Sequence, residues 1–475
     1  MANPIDNSSS KALFDRRQLL SGMGAGLGAM ALQSLIHGES KRQFGGGVGP
    51  HHTPKAKNVI FLFMGGGPSQ FELFEPKPKL TAMNGQPVPP SLTEGKRFAF
   101  INNDAKLMGN TRKFAKYGEC GMDFSELVPH MSGIADDICM IRSMQTDIIN
   151  HGPAKMFVNS GTQLLGRPSM GAWMNYGLGS ESQNLPGFVV LSSGMRGPNG
   201  GKNLWSSGFL PSRFQGVALR AGGEPVLDLR NPPGIDSARQ GRFFDAVGRL
   251  NRLAHQKVQD EEIETRIAAY EMAARMQASA PELTDLKAEP KSVLDLYGVE
   301  PGESSFAANC LLARRMVERG VRFIQLYHTD WDHHGTSSLN LGRPLENIAR
   351  DVDRGSAALV TDLKQRGLLD DTLVIWGGEF GRTPMKQSQV SVGRDHHIDA
   401  YSMWLAGGGT KAGYTHGVTD ELGYNVLDGG VHVHDLQATI LHLMGLDHLR
   451  LTYRSQGRNF RLTDVAGEVK YDLLA

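Results

Sequence analysis

Four short segments of this 475-residue chain gather side chains that can hold metals or move protons. His328-Thr329-Asp330-Trp331-Asp332-His333-His334 follows the apolar run VRFIQLY. Glu379 and Arg382 follow the run TLVIW. Arg394-Asp395-His396-His397 precedes YSMWL, and Ser69, Gln70 and Glu72 follow KNVIFLFM and a glycine triplet. Carboxylate and imidazole together form a mixed oxygen and nitrogen donor set that suits Zn²⁺, Mn²⁺ or Fe²⁺. A metal held that way can polarise a phosphoryl or sulfuryl oxygen, or generate hydroxide from water at neutral pH. Any one of these histidines alone would read as a hydrogen-bonded loop residue, and WDHH alone as a solvated turn. Their coincidence beside several strands is what points to a metal site.

The flanking elements give that coincidence its frame. Continuous apolar runs read as fully buried strands at Lys57–Met64, around Ile138–Ile141, and at Gly187–Leu191, Val321–Tyr327, Thr372–Trp376 and Tyr401–Leu405. Helical patterns cover Ala238–Ala278, Phe306–Arg319, Leu345–Arg366 and Asp435–Met444, three of them stopped by Gly320, Gly367 and Gly445. Residues 196–235 read as irregular loops. Strands alternating with helices predict an α/β fold with a doubly wound, mostly parallel sheet covered on both faces. In such sheets the site lies beyond the carboxyl ends of the strands, where the clusters fall. His432 and His434 form a second-rank pair near the C-terminus, and Asp435 after them equally suits a helix N-cap. Ser69 reads as a loop or N-cap residue, since no base adjoins it.

Composition removes several classes of function. Lys and Arg total 50 against 49 Asp and Glu, and no basic run breaks the balance, so nucleic acid is not an expected partner. Apolar residues make up 40% and charged residues 21%, which excludes a disordered chain. The three cysteines, Cys120, Cys139 and Cys310, exclude a disulfide scaffold. Gly201-Lys202 is followed by Asn203, so there is no phosphate-binding Walker loop, and no G-x-S-x-G elbow is present.

Phe14–Leu32 reads FDRRQLLSGMGAGLGAMAL, with Arg16 and Arg17 ahead of a Gly/Ala-rich apolar stretch. That pattern suits a twin-arginine export signal over residues 1–36 and a periplasmic or cell-surface location. The stretch is too short and too glycine-rich for a membrane span, so none is expected in the mature protein. Gly26-Leu27-Gly28-Ala29-Met30-Ala31 matches a dinucleotide fingerprint only in letters, because no strand precedes it.

From about Pro54 to Leu474 the chain resembles the domain-of-unknown-function 1501 family (DUF1501). These are exported bacterial proteins that look like a sulfatase-like branch of the alkaline phosphatase superfamily. The matching segments are KNVIFLFMGGGPSQ, NHGPAKMFVNSGT, GRPSMGAWMNYGLGS, LPGFVVLSSG, SFAANCLLARRMVERGVRFIQLYH, WDHHG, GLLDDTLVIWGGEFGRTP, GRDHH, WLAGGGTKAG and HVHDLQATILHLMGLDHLRLTYRSQGRNFRLTD. The resemblance implies an alkaline phosphatase/sulfatase-like domain over residues 50–475, with a loop and helix insertion around 196–300. It implies hydrolysis of phosphate or sulfate esters on a small molecule or polysaccharide, with a divalent metal (zinc, manganese or calcium).

Position by position, the resemblance places Asp332, His334, Glu379 and His396 or His397 at the metal. Phe380 stands where the superfamily has a histidine after Glu379. Met64-Gly65 stands where it has an aspartate, which leaves that place to Glu72 or Glu75. His151-Gly152-Pro153-Ala154-Lys155 resembles the sulfatase nucleophile motif C-x-P-x-R, with His151 as nucleophile, base or ligand and with Lys155 and Arg382 holding an anion. No Cys or Ser occupies position 151, which excludes a formylglycine sulfatase there. The alternative reading is a catalytically reduced, exported binding protein on the same scaffold.

Overall fold

Strand β1 (Asn58–Met64) is buried along its whole length, and its side chains alternate between two cores. Ile60, Leu62 and Met64 join one; Val59, Phe61 and Phe63 join the other. A strand buried on both faces must be apolar without interruption, which is why NVIFLFM carries no period-2 pattern. The computed structural model describes residues 48–475 apart from 95–97, 99–100, 102–104, 220–235, 259–260 and 389. The export segment expected over residues 1–36 lies outside the described residues.

The other strands that matter for the site are β2 (Ile138–Gln145), β3 (Phe188–Ser193), β4 (Val217–Ala218), β5 (Phe323–His328), β6 (Thr372–Gly377), β7 (Gly381–Lys386), β8 (Arg394–His397), β9 (Tyr401–Ala406), β10 (Tyr414–His416) and β11 (Val431–His432). Eight of them join β1 in one nine-stranded sheet in the order β10-β2-β9-β6-β1-β5-β3-β4, with β11 also paired to β2. β9 runs antiparallel to β6 and β2, and the remaining pairs are parallel. The fold is therefore α/β with a mostly parallel sheet.

The helices that matter here are α1 (Gln70–Leu73), α2 (His151–Ser160), α3 (Met170–Leu178), α4 (Ser237–Val258), α5 (Glu261–Thr284), α6 (Phe306–Val317), α7 (Arg343–Gln365) and α8 (Val433–Leu443). Leu311 and Leu312 of α6 and Val352 and Leu359 of α7 cover one face of the sheet. Val158 of α2, Trp173 of α3 and Leu436 and Ile440 of α8 cover the other. Cutting a fully buried Leu or Phe of either layer to Ala would cost about 2–5 kcal/mol. Among the described residues no helix is long and apolar enough to cross a membrane.

Two features depart from the sequence reading. β9 lies antiparallel, an orientation its apolar run does not encode. The segment from Gly381 to His397, to which the sequence reading assigned no element, is a β-hairpin: β7 and β8 pair antiparallel, and β7 also pairs with Lys106–Leu107. All four residues of β8 are buried although the sequence is Arg-Asp-His-His.

Candidate metal centre

β5 delivers the centre's carboxylate. Beyond His328 the chain turns through Asp330, whose φ of 80° lies in the left-handed region, and presents Asp332 over the ends of β1 and β6. The turn sits directly on Gly66: a Cβ there would lie 2.8 Å from the backbone nitrogens of Trp331 and Asp332, so only glycine allows the approach. Arg382 fastens the arrangement. It is buried, and its guanidinium donates to the carbonyls of Gly66, Gly67 (2.8 Å) and Arg394 (3.1 Å) and to Asp332 Oδ1 (2.7 Å).

Three imidazoles point at the same oxygen. His151, the first residue of α2, places Nε2 3.0 Å from Asp332 Oδ1; His334 Nε2 lies at 2.7 Å and His396 Nε2 at 3.3 Å. Ligand atoms of His151, Asp332, His334 and His396 all fall within 4.8 Å of one another. The opposite nitrogen of each ring is held by an oxygen. His151 Nδ1 lies 2.6 Å from Glu379 Oε1, His396 Nδ1 lies 2.7 Å from the Ile149 carbonyl, and His334 Nδ1 contacts Gln387 Oε1. A carbonyl or carboxylate can only accept, so each Nδ1 donates and each ring turns its Nε2 inward. This is how metal-ligating histidines are held: the outer N–H is fixed by an acceptor and the inner nitrogen is left basic.

The electrostatics favour a positive charge at the convergence point. Burial tends to raise the pKa of Asp332, but the close approach of the three imidazoles and the charge of Arg382 outweigh it and hold the acid well below the usual carboxylate range. Burial likewise acts to raise Glu379, and Lys155 and His151 bring it down to about 2. His396 is lowered to about 4, chiefly by burial, so it is neutral at pH 7. Burial alone would lower His151, yet the carboxylates of Asp332 and Glu379 raise it. His151 Nε2 is nevertheless a buried atom without an aligned hydrogen-bond partner. A cation bound between the rings and Asp332 answers both observations, so the residues fit a divalent metal.

The sequence candidates divide. Asp332, His334 and His396 come together, and His151 joins them as a fourth donor. Glu379 is outside that set: fully buried behind His151, it accepts from Gly66 N–H (3.0 Å), and Lys155 Nζ lies 3.5 Å away. His397 is outside it as well. Successive strand residues face opposite ways, and its Nε2 bonds the Tyr424 carbonyl at 2.7 Å. Glu72 is fully buried and paired with Arg394 at 2.8 Å, with Ser69 Oγ as a further donor. Glu75 bonds Thr419 and pairs with Lys77. Lys155 and Arg382 are buried and turned to Glu379 and Asp332. His432 and Asp435 form the capping box of α8, and His434 Nε2 bonds the Gly161 carbonyl at 2.9 Å. Sequence reading missed the oxygens behind the rings, Ile149 O and Gln387 Oε1, for which no residue pattern exists.

Fold and site together define an α/β protein with three histidines and one aspartate converging beyond the carboxyl ends of a mostly parallel sheet. The chain belongs to the DUF1501 family, described as proteins of unknown function, which matches residues 56–474. No curated protein matches it significantly. Its backbone is similar to that of the lipoteichoic acid synthase LtaP from Listeria monocytogenes, at 8% identity over 83% of this chain and 73% of that one, with a TM-score of 0.35. It is similar to the PsFucS1 sulfatase from Pseudoalteromonas sp. at 11% identity, covering 83% and 68%, with a TM-score of 0.33. For the alkaline phosphatase of the Antarctic bacterium TAB5 the identity is 12%, the coverage 82% and 98%, and the TM-score 0.30. At such scores the likeness carries nothing about this chain's reaction.

Proposed function

We propose that the protein is an exported, metal-dependent hydrolase of phosphate or sulfate esters. The observation that carries the reading is His151 Nε2: a buried nitrogen without an aligned partner, aimed with two further Nε2 atoms at one carboxylate oxygen. Three nitrogens and one carboxylate suit Zn²⁺, Mn²⁺ or Fe²⁺ better than Ca²⁺, which prefers an all-oxygen shell. Such a metal supplies Lewis acidity to a phosphoryl or sulfuryl oxygen and lowers the pKa of water.

The chain's own groups orient and balance the centre. Glu379 holds His151 through Nδ1, and Lys155 offsets its charge. Arg382 holds Asp332 and ties the loop after β1 to the turn after β5. The formal charges of Asp332, Glu379, Lys155 and Arg382 cancel (−1 −1 +1 +1 = 0), so a divalent ion would leave the centre electropositive and attractive to an anionic ester. Asp332 is the most open member of the cluster, 31% exposed at its side chain, and marks the side from which a ligand arrives.

One observation favours the second reading, a binding protein that has lost catalysis. The donors of Arg382 go to backbone carbonyls, Asp332 and, at 3.5 Å, His334 Nε2, and Lys155 is buried against Glu379, so neither cation is turned outward to grip an ester. Turnover of an aryl phosphate and an aryl sulfate by the mature protein reconstituted with zinc, manganese or iron separates the two. Hydrolysis that a chelator abolishes and metal restores supports the hydrolase. Full metal occupancy with no turnover of either ester supports the binding protein.

A further inference from the structure

The loop after α2 meets a C-terminal hairpin, in which Tyr453–Ser455 pairs with Arg458–Phe460, on a surface remote from the metal centre. The ten residues of α2 separate this place from His151, a rise of ~15 Å. There one ring, Phe460, carries two guanidinium groups: Arg167 at 4.1 Å from its centroid and Arg458 at 4.9 Å. Arg167 also lies 5.9 Å from the Phe209 ring. Arg461 lines the same cleft with Ser160, Thr162 and Asp464.

The charges there do not balance. Arg458 pairs with the Asp464 carboxylate, and Arg461 Nε donates to the Asp464 carbonyl. Arg167 makes no hydrogen bond or ion pair with any described residue; its guanidinium stacks on the two rings. Three guanidiniums thus share one carboxylate, an excess of two positive charges (3 − 1 = 2). Burial lowers the pKa of Arg167, the Asp464 carboxylate offsets part of that, and the charge of Arg458 adds to the lowering. Stacking fixes the plane of the guanidinium and leaves its N–H edge unspent, a fork that matches two oxygens of a sulfate or phosphate. The cleft has a volume of about 10 Å³, room for a single water-sized oxygen. It can take the tip of an oxyanion while the rest of the ligand stays in solvent, which suits a group carried on a polymer.

We propose that Arg167, with Arg461 beside it, binds a sulfate or phosphate group of an anionic polysaccharide at a site separate from the metal centre. The test is binding of dextran sulfate to the metal-free protein, with uncharged dextran and inorganic sulfate as further probes. Three variants are compared with the wild type: Arg167→Gln, Arg461→Gln and Arg249→Gln, the last removing an exposed charge on α4. Loss of a bidentate charged contact predicts dextran sulfate binding weaker by about tenfold or more in Arg167→Gln. Arg461→Gln weakens it to a lesser degree, Arg249→Gln leaves it unchanged, and uncharged dextran does not bind. Competition by inorganic sulfate in the wild type, absent in Arg167→Gln, ties the site to the oxyanion itself. Unchanged thermal unfolding shows that the variants fold. The proposal is overturned if folded Arg167→Gln and Arg461→Gln bind like the wild type, or if Arg249→Gln loses as much as Arg167→Gln.

Discussion

His396 and Asp332 face one another across 3.3 Å, Nε2 to Oδ1, while the other nitrogen of His396 is committed to the Ile149 carbonyl at 2.7 Å. Because burial keeps His396 neutral, its one proton sits on Nδ1, and two lone-pair atoms meet at the centre. Lone pairs brought together in a protein interior need a cation between them. His151 and His334 repeat the geometry on the same oxygen. The metal account rests on this repetition.

Glu379 acts on the metal through His151. Glu379→Gln keeps the shape but removes the charge that fixes the His151 tautomer. Metal affinity should fall about 10–100-fold, the usual cost of losing a carboxylate behind a ligating histidine. Isothermal titration with Zn²⁺ measures it. An unchanged affinity would deny Glu379 this role, and complete loss of binding would make it a ligand.

Glu72 behaves as a structural ion. Its carboxylate and Arg394 are both fully buried. Glu72→Gln leaves Arg394 charged and underpaired, at a cost of about 3–5 kcal/mol by chemical denaturation. The folded variant should still take up metal with wild-type affinity. Metal binding lost while stability is kept would place Glu72 at the centre after all.

Gly66→Ala drives a Cβ into the turn that carries Asp332, 2.8 Å from two of its backbone nitrogens, at a φ of 122°. The turn must move, so metal affinity should drop together with stability, the latter by about 1–3 kcal/mol. Gly133→Ala, with nothing within 4 Å of its Cβ, is the matched control and should change neither.

Stability should fall with acid through His328, which lies at the end of β5 and is not one of the four metal donors. Burial lowers its pKa to about 4, and its Nε2 has no acceptor to receive a proton. The unfolded chain protonates this residue near pH 6.5, so between about 6.5 and 4 it binds more protons than the folded chain, and stability declines as pH falls. The contribution approaches roughly 3 kcal/mol below pH 4. His328→Gln should flatten the thermal midpoint between pH 7 and 4 relative to wild type; parallel curves would contradict the assignment.

Particular residues show what was legible from sequence. β1, β5 and β6 were readable because burial on both faces demands unbroken apolar runs. α2 and α3 were not, since HGPAKMFVNS and MGAWMNYGL carry glycine and proline where a helix pattern would show apolar spacing. His151 surfaced only through a motif resemblance. His396 and His397 could not be told apart because β8 is a buried strand of polar residues, the reverse of the pattern that reveals strands. Once β8 is known, alternation alone sends one ring to Asp332 and the other to Tyr424. Glu379 was expected at the metal beside Asp332, because sequence does not say which strand-end carboxylate reaches the centre and which stands behind a histidine. That choice depends on Gly66, which lets the Asp332 turn close over β1.

The most direct measurement is the metal content of the purified mature protein by elemental analysis, before and after reconstitution, beside Asp332→Asn. The account predicts about one equivalent of zinc, manganese or iron per chain and near-complete loss in Asp332→Asn, with the fold retained. Less than about half an equivalent in the wild type, with no gain on reconstitution, would contradict it, as would an Asp332→Asn protein that still holds its metal.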